Sequence, residues 1–148
     1  GLKTSEEREA RIQKDYKLAA RIEREGVEKF IDFWETIPLF HSQLNLPAAV
    51  REQIRSQRLK NDPVGLANSL RGMGTGAQPS WWDELVNFDF ETLLITGELD
   101  EKFCKIADDM ALKLPNPTKL TINGCGHAIH VEEREKFGTI VSEFLSNT

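Results

Sequence analysis

Leu93-Leu94-Ile95-Thr96-Gly97-Glu98-Leu99-Asp100 and, further along, Lys119-Leu120-Thr121-Ile122-Asn123-Gly124-Cys125-Gly126-His127 decide how this chain is read. Each is a strand-length run that ends in a glycine-containing turn and then in a side chain suited to proton chemistry. After the first run, Phe103, Ile106, Ala107, Met110 and Leu114 recur at helical spacing; after the second, Phe137, Ile140, Val141, Phe144 and Leu145 do the same. Strand, helix, strand, helix from Glu91 onward predicts an α/β architecture, with parallel strands covered by helices on each side. Two such strands leave edges that pair promiscuously, so the pattern calls for further strands from another segment or chain.

The two polar side chains define the expected chemistry. Glycines around Cys125 allow the backbone to bend sharply and bring His127 over the carboxyl ends of the strands, where open α/β sheets hold their sites. Asp100, at the end of the preceding strand, is its natural partner: it would accept a hydrogen bond from one ring nitrogen, set the tautomer and stabilise the imidazolium. Taken alone, such a histidine reads as a loop or packing residue and such an aspartate as a turn or cap. The pair, in this order and each after a buried-type strand, favours a catalytic base and its orienter.

A triad also needs a nucleophile, on a Gly-x-Ser-x-Gly elbow earlier in the chain. None of Ser5, Ser42, Ser56, Ser69, Ser80, Ser142 and Ser146 has glycine two residues away on both sides. The chain therefore reads as the back half of an enzyme, inactive alone.

Residues 1–88 read as helical. Thr4 and Glu7 have capping-box spacing, Ile12, Tyr16 and Ala19 recur at helical intervals, and Gly26 can close the helix. Val27, Phe30, Ile31 and Trp34 form a helical stripe before Pro38; Pro47 begins a helix with Val50, Ile54 and Leu59. Asp62-Pro63 opens another with Leu66, Leu70 and Met73, ended by Gly72, Gly74 and Gly76, which lack the Lys-Ser/Thr of a phosphate loop. Ser80 is expected to cap a last helix through Trp81, Trp82, Asp83 and Glu84.

Composition narrows the function classes. A 39% hydrophobic and 29% charged make-up suits a soluble globular protein, and a net charge of −5 gives no basic footprint for nucleic acid. Cys104 and Cys125 make no metal-type cluster, and no cofactor or metal is expected. No apolar run approaches the roughly 18 residues of a membrane span, and the charged first residues are unlike a secretory signal. The expected location is cytoplasmic, with neither nucleic acid nor membrane as partner.

Gly97-Glu98-Leu99-Asp100-Glu101-Lys102-Phe103 with Gly126-His127-Ala128-Ile129-His130-Val131-Glu132 resembles the C-terminal half of the α/β-hydrolase fold. More narrowly, with Phe33-Trp34, Pro38-Leu39-Phe40 and Arg58-Leu59, it resembles the 2-succinyl-6-hydroxy-2,4-cyclohexadiene-1-carboxylate synthase family of the menaquinone pathway. The resemblance covers essentially the whole chain. It implies a helical cap, or lid, over 1–88 and a strand-helix-strand-helix part of the hydrolase core over 89–148, the N-terminal core half being absent.

The resemblance further implies a carbon-oxygen lyase in a hydrolase scaffold. A Ser-His-Asp triad would remove a proton from a succinylated enolpyruvyl cyclohexene carboxylate and eliminate pyruvate. His127 would be the base and Asp100 its orienter, with Arg58 binding a substrate carboxylate and Trp34 and Phe40 packing on the substrate. The missing half, carrying the nucleophile Ser, would be the partner. Bland readings stand beside these: Trp34 and Phe40 as cap packing, Arg58 and His41 as surface residues, His130 as a loop residue in packing, Lys102 and Glu98 as helix-entry and turn residues. Two other functions stay open, a serine esterase or peptidase and a non-catalytic helical interaction fragment.

Overall fold

A computed structural model describes residues 1–147. The described residues form two compact units, one of residues 1–36 and 48–83, the other of residues 37–47 and 84–147.

The first unit is all helical: α1 (Ser5–Glu25), α2 (Val27–Trp34), α3 (Ala48–Leu59) and α4 (Pro63–Met73). The expected signals start and stop these helices. Thr4 and Glu7 form a reciprocal capping box on α1, Gly26 ends it with φ of 85°, and the Asp62 carboxylate accepts the Gly65 N–H at 2.6 Å to cap α4. Helix α1 packs on α4 and on α2, and α2 on α3, around Ala19, Ile22, Ile31 and Ala67.

The stripes differ in part from those expected. Tyr16, Leu59 and Met73 are exposed, and Asp15 is buried in the place the spacing gave to a neighbour. Small residues allow α1 and α4 to approach closely, so the interior face belongs to Ala19 and Ala67. Gly74 and Gly76 serve that approach too. A Cβ on Gly74 would overlap the Asp15 carboxylate, and one on Gly76 would overlap the Arg8 carbonyl of α1. No helix starts at Ser80; turns there lead directly into a three-residue 3-10 turn at Leu85–Asn87.

The second unit holds β1 (Thr92–Gly97), α5 (Glu101–Ala111), β2 (Pro117–Ile122), α6 (Ile129–Glu132) and α7 (Arg134–Asn147), together with a 3-10 segment, Pro38–Asn45. The strands pair in parallel, Thr92 opposite Pro117 through Gly97 opposite Ile122, as a two-stranded sheet among the described residues. Buried Ile122, Cys125 and Ile129 pack with Ile95, Phe137 and Ile140. Strand β2 is exposed from Thr118 to Thr121, so it lacks the two-sided cover expected of it. Where a loop was expected around His130, α6 makes one turn, because Ala128 and Ile129 are drawn inward to the core.

Among the described residues, no helix is long and apolar enough to cross a membrane.

Candidate active site

The ends of β1 and β2 are stitched together by their own backbones. The Glu98 N–H donates to the Ile122 carbonyl and the Leu99 N–H to the Cys125 carbonyl, both at 2.9 Å, and the Glu98 carboxylate accepts the Gly124 N–H at 2.8 Å. Gly97 allows this closeness, since a Cβ there would overlap the carbonyl oxygens of Gly126 and Cys125. Gly124, with φ of 68°, makes the turn that a side chain would strain. Glu98 is thus more than a turn residue: it ties the two loops to each other.

This stitching brings Asp100 and His127 together. Asp100 is the N-cap of α5, where one carboxylate oxygen accepts the Phe103 N–H at 3.3 Å and the other lies 2.6 Å from His127 Nδ1. The Asp100 side chain retains only 7% of its exposure and that of His127 retains 32%. The carboxylate is therefore shielded behind an imidazole that reaches solvent, which strengthens their mutual interaction. The histidine ring rests on Phe103, centroids 4.6 Å apart and tilted 58°, and edge-on against Phe40 at 6.1 Å. With Nδ1 held by Asp100, Nε2 is the nitrogen left to exchange a proton.

His127 and Asp100 line a cleft of about 490 Å³ with Pro38, Leu39, His41, Ser42, Asn45 and Lys102 on its other walls. His41 and Lys102 are thus cleft residues as well as exposed ones. His130 points to packing: it is exposed on α6, with its ring edge-on to Phe137 at 6.2 Å.

Trp34 and Arg58 lie together in the first unit. They line a second pocket of about 280 Å³, walled mainly by apolar side chains including Ile22, Phe30, Ile31 and Leu66. Trp34 stacks tilted on Phe30 at 5.2 Å. Arg58 meets the Glu35 carboxylate at 3.5 Å, whereas Arg55 holds the same carboxylate at 2.8 Å. Hydrogen bonds that Arg55 donates to Asp32 and then to Glu35 raise its pKa, and the shorter distance marks Arg55 as the tighter partner of the Glu35 carboxylate. The structure thus gathers Asp100, His127 and Phe40 in one unit, and Trp34 and Arg58 in the other.

Cys125 is poorly suited to act as a nucleophile. Burial, with Glu132 and Glu133 nearby, pushes its thiol up to about 11, so little thiolate forms at neutral pH. Among the described residues, no group of three His, Cys, Asp or Glu side chains could hold a metal ion.

The sequence reading missed Glu132 as a functional residue. Its carboxylate accepts the Gly126 N–H at 2.7 Å, the Ala128 N–H at 3.3 Å and the Ser42 hydroxyl at 2.9 Å. The signal was present in the spacing: a carboxylate one helical turn beyond Ala128 can reach back to free N–H groups. Nothing in the sequence pointed to Ser42.

No protein-family model matches the chain. A Bacillus subtilis protein provisionally named 2-succinyl-6-hydroxy-2,4-cyclohexadiene-1-carboxylate synthase is 51% identical over 99% of this chain and 54% of its own length. The synthase of that name from Photorhabdus laumondii is 30% identical, over 99% of this chain and 50% of its own. The chain thus spans about half the length of the relatives it matches. The structure of MenH from S. aureus superposes with a TM-score of 0.96 at 40% identity, covering 99% of this chain and 55% of that one. A thermophilic esterase from Thermogutta terrifontis matches with a TM-score of 0.78 at 26% identity, over 93% of this chain and 50% of its own. The chain has the α/β-hydrolase fold and is homologous, over nearly its whole length, to about half of a 2-succinyl-6-hydroxy-2,4-cyclohexadiene-1-carboxylate synthase.

Proposed function

We propose that this chain supplies the base, its orienting acid and the cap of a menaquinone-pathway lyase that eliminates pyruvate from a succinylated enolpyruvyl cyclohexene carboxylate. The observation that carries the reading is the 2.6 Å contact between His127 Nδ1 and Asp100 Oδ2 at adjoining strand ends, in a chain homologous to such synthases. His127 Nε2 activates a serine hydroxyl, and the Ser-His pair removes a proton from the ring substrate. The electron pair left behind forms the new double bond as the carbon-oxygen bond breaks; the enolpyruvyl oxygen departs with the bonding pair as the enolate of pyruvate, which takes up a proton at its methylene carbon to become pyruvate. No water is consumed. Asp100 stabilises the imidazolium while the proton is held.

The serine and the oxyanion-hole donors come from an N-terminal core half outside this sequence, in keeping with relatives about twice as long. Residues 1–88 act as the helical cap and 89–148 as the core part. Arg58 binds a substrate carboxylate through its planar fork of donors, displacing its long contact with Glu35. Trp34 and Phe40 pack on the substrate's ring and succinyl chain. The expected setting is the cytoplasm, where the intermediates are small carboxylates.

The test is pyruvate release from the purified full-length protein containing this sequence. Rapid release that His127→Ala reduces by about 10³-fold or more supports the assignment. Absence of pyruvate from a folded full-length protein overturns it. A second reading, a serine esterase, is favoured by the likeness to the Thermogutta esterase. It predicts efficient hydrolysis of p-nitrophenyl esters with a burst that depends on His127.

A further inference from the structure

Beyond the acid and the base, a second carboxylate is built into this centre. Glu132 ends α6, and its two oxygens gather donors from two parts of the second unit, the loop around His127 and the 3-10 segment. Oε2 accepts the Gly126 N–H at 2.7 Å and is 3.8 Å from Cys125 Sγ. Oε1 accepts the Ser42 hydroxyl at 2.9 Å and the Ala128 N–H at 3.3 Å. Gly126 and Ala128 are the two neighbours of His127, so the carboxylate grips the backbone on both sides of the base. Ser42 belongs to the Pro38–Asn45 segment that also carries Phe40, whose ring stands against the His127 imidazole.

A helix-capping role explains only part of this. The Glu132 N–H donates to the Ala128 carbonyl at 3.0 Å while its side chain accepts the Ala128 N–H, a reciprocal pair like a capping box displaced by one residue. The bonds to Gly126 and Ser42 lie outside the helix, and a one-turn helix has no need of them. The fit at that point is close: a Cβ on Gly126 would overlap the Ser42 side chain and come within 3.2 Å of the Glu132 carboxylate. The loop, the 3-10 segment and the carboxylate therefore form one packed junction directly behind the imidazole.

We propose that Glu132 is a positioning residue: by holding the N–H groups on either side of His127 and the hydroxyl of Ser42, it sets the imidazole against Asp100 and Phe40 against the imidazole. Two acceptor oxygens are required. Glutamine has nearly the same shape but presents one oxygen and one NH2, so one side of the junction must face donor to donor. The loop then shifts and the Nδ1 to Asp100 alignment loosens. An error of about 1 Å in the placement of a catalytic group costs on the order of 10²-fold in rate.

This inference rests on His127 acting as the base, yet its test reads geometry rather than turnover. The His127 Nδ1 proton, hydrogen-bonded to Asp100, is expected to give a far-downfield imidazole signal in the NMR spectrum of the full-length protein. Glu132→Gln is expected to lose or broaden that signal while the protein still melts cooperatively. In the pyruvate assay, kcat should fall about 10²-fold with KM little changed. A folded Glu132→Gln protein with the wild-type signal overturns the proposal. Should that variant fail to fold, Ser42→Ala decides, because it removes one donor and leaves the carboxylate: a weakened signal supports the coupling and an unaltered one overturns it. If no pyruvate is ever released, the proton signal still reports on Glu132, so failure of the lyase reading is distinguishable.

Discussion

Asp100 divides its carboxylate between Phe103 and His127: one oxygen caps α5 through the Phe103 N–H at 3.3 Å, the other meets His127 Nδ1 at 2.6 Å. Holding the His127 ring and starting the helix are therefore separable tasks of one side chain. Asparagine is as good an N-cap as aspartate, but it lacks the charge and favours the wrong histidine tautomer. Asp100→Asn is expected to keep its melting temperature within a few degrees and to lose about 10⁴-fold in kcat for pyruvate release. Asp100→Ala should lose the rate and also about 1 kcal/mol of stability from the cap. Paired denaturation and rate measurements on the two variants check this division.

Gly97 has no room for a side chain, because the carbonyls of Gly126 and Cys125 occupy the space. Gly97→Ala should therefore push the histidine loop off the end of β1. The expected cost is about 1–3 kcal/mol by overpacking, read as a lower denaturant midpoint with an unchanged slope. Activity should fall further than stability, since the displaced segment carries the base.

Arg58 offers a test of carboxylate recognition that leaves the base alone. Charged hydrogen bonds contribute about 1.5–3 kcal/mol, so Arg58→Ala should raise KM for the carboxylate-rich substrate roughly 10- to 150-fold. Hydrolysis of any neutral p-nitrophenyl ester should be little changed. Lysine cannot reproduce a bidentate fork, and Arg58→Lys should recover only part of the loss. Equal effects on both substrates would assign Arg58 to cap packing.

Acid should loosen the helical unit. A bidentate hydrogen-bonded pair with Arg71, at 2.7 and 2.6 Å, holds the Glu23 pKa below 4.5, and hydrogen bonds from Arg21 and Arg24 lower that of Glu25. A carboxylate whose folded pKa is depressed stabilises the fold above its unfolded pKa and loses that contribution as pH falls through the folded value. The contribution of these groups is therefore expected to be complete and pH-independent near neutrality and to decline below about pH 4.5. Glu23 is exposed and Glu25 half-buried, so high salt should reduce the effect, more for Glu23. Melts of the wild type and Arg71→Met across pH 3–6 should converge at the acid end.

Much of the architecture was legible because it is written in local chemistry. Thr4 with Glu7, Gly26, and Asp62 before Pro63 satisfy or end helices through groups within a few residues of one another, so spacing alone located α1 and α4. The parallel pairing of β1 and β2 followed from two apolar runs joined by a helix, the connection that parallel strands require. Ser80 misled, because a good cap does not make a helix where the following residues turn toward a strand. Tyr16 and Met73 misled for a related reason: periodicity identifies a face but not its centre, and here Ala19 and Ala67 permit the closer approach of the helices.

The sequence by itself determined the order of the main helices and strands, the α/β class, and the residue types able to do proton chemistry at two strand ends. Those properties depend on neighbours along the chain, through capping, periodicity and turn formation. Only the tertiary structure decided that Asp100 and His127 touch, that Gly97 must be glycine, and that Glu132 joins Ser42 to the backbone on either side of the histidine. Each of these is a contact between segments whose meeting depends on strand register and loop closure. A hydrogen bond of 2.6 to 2.9 Å acts over so short a range that sequence spacing can nominate its partners, while packing alone brings them within reach.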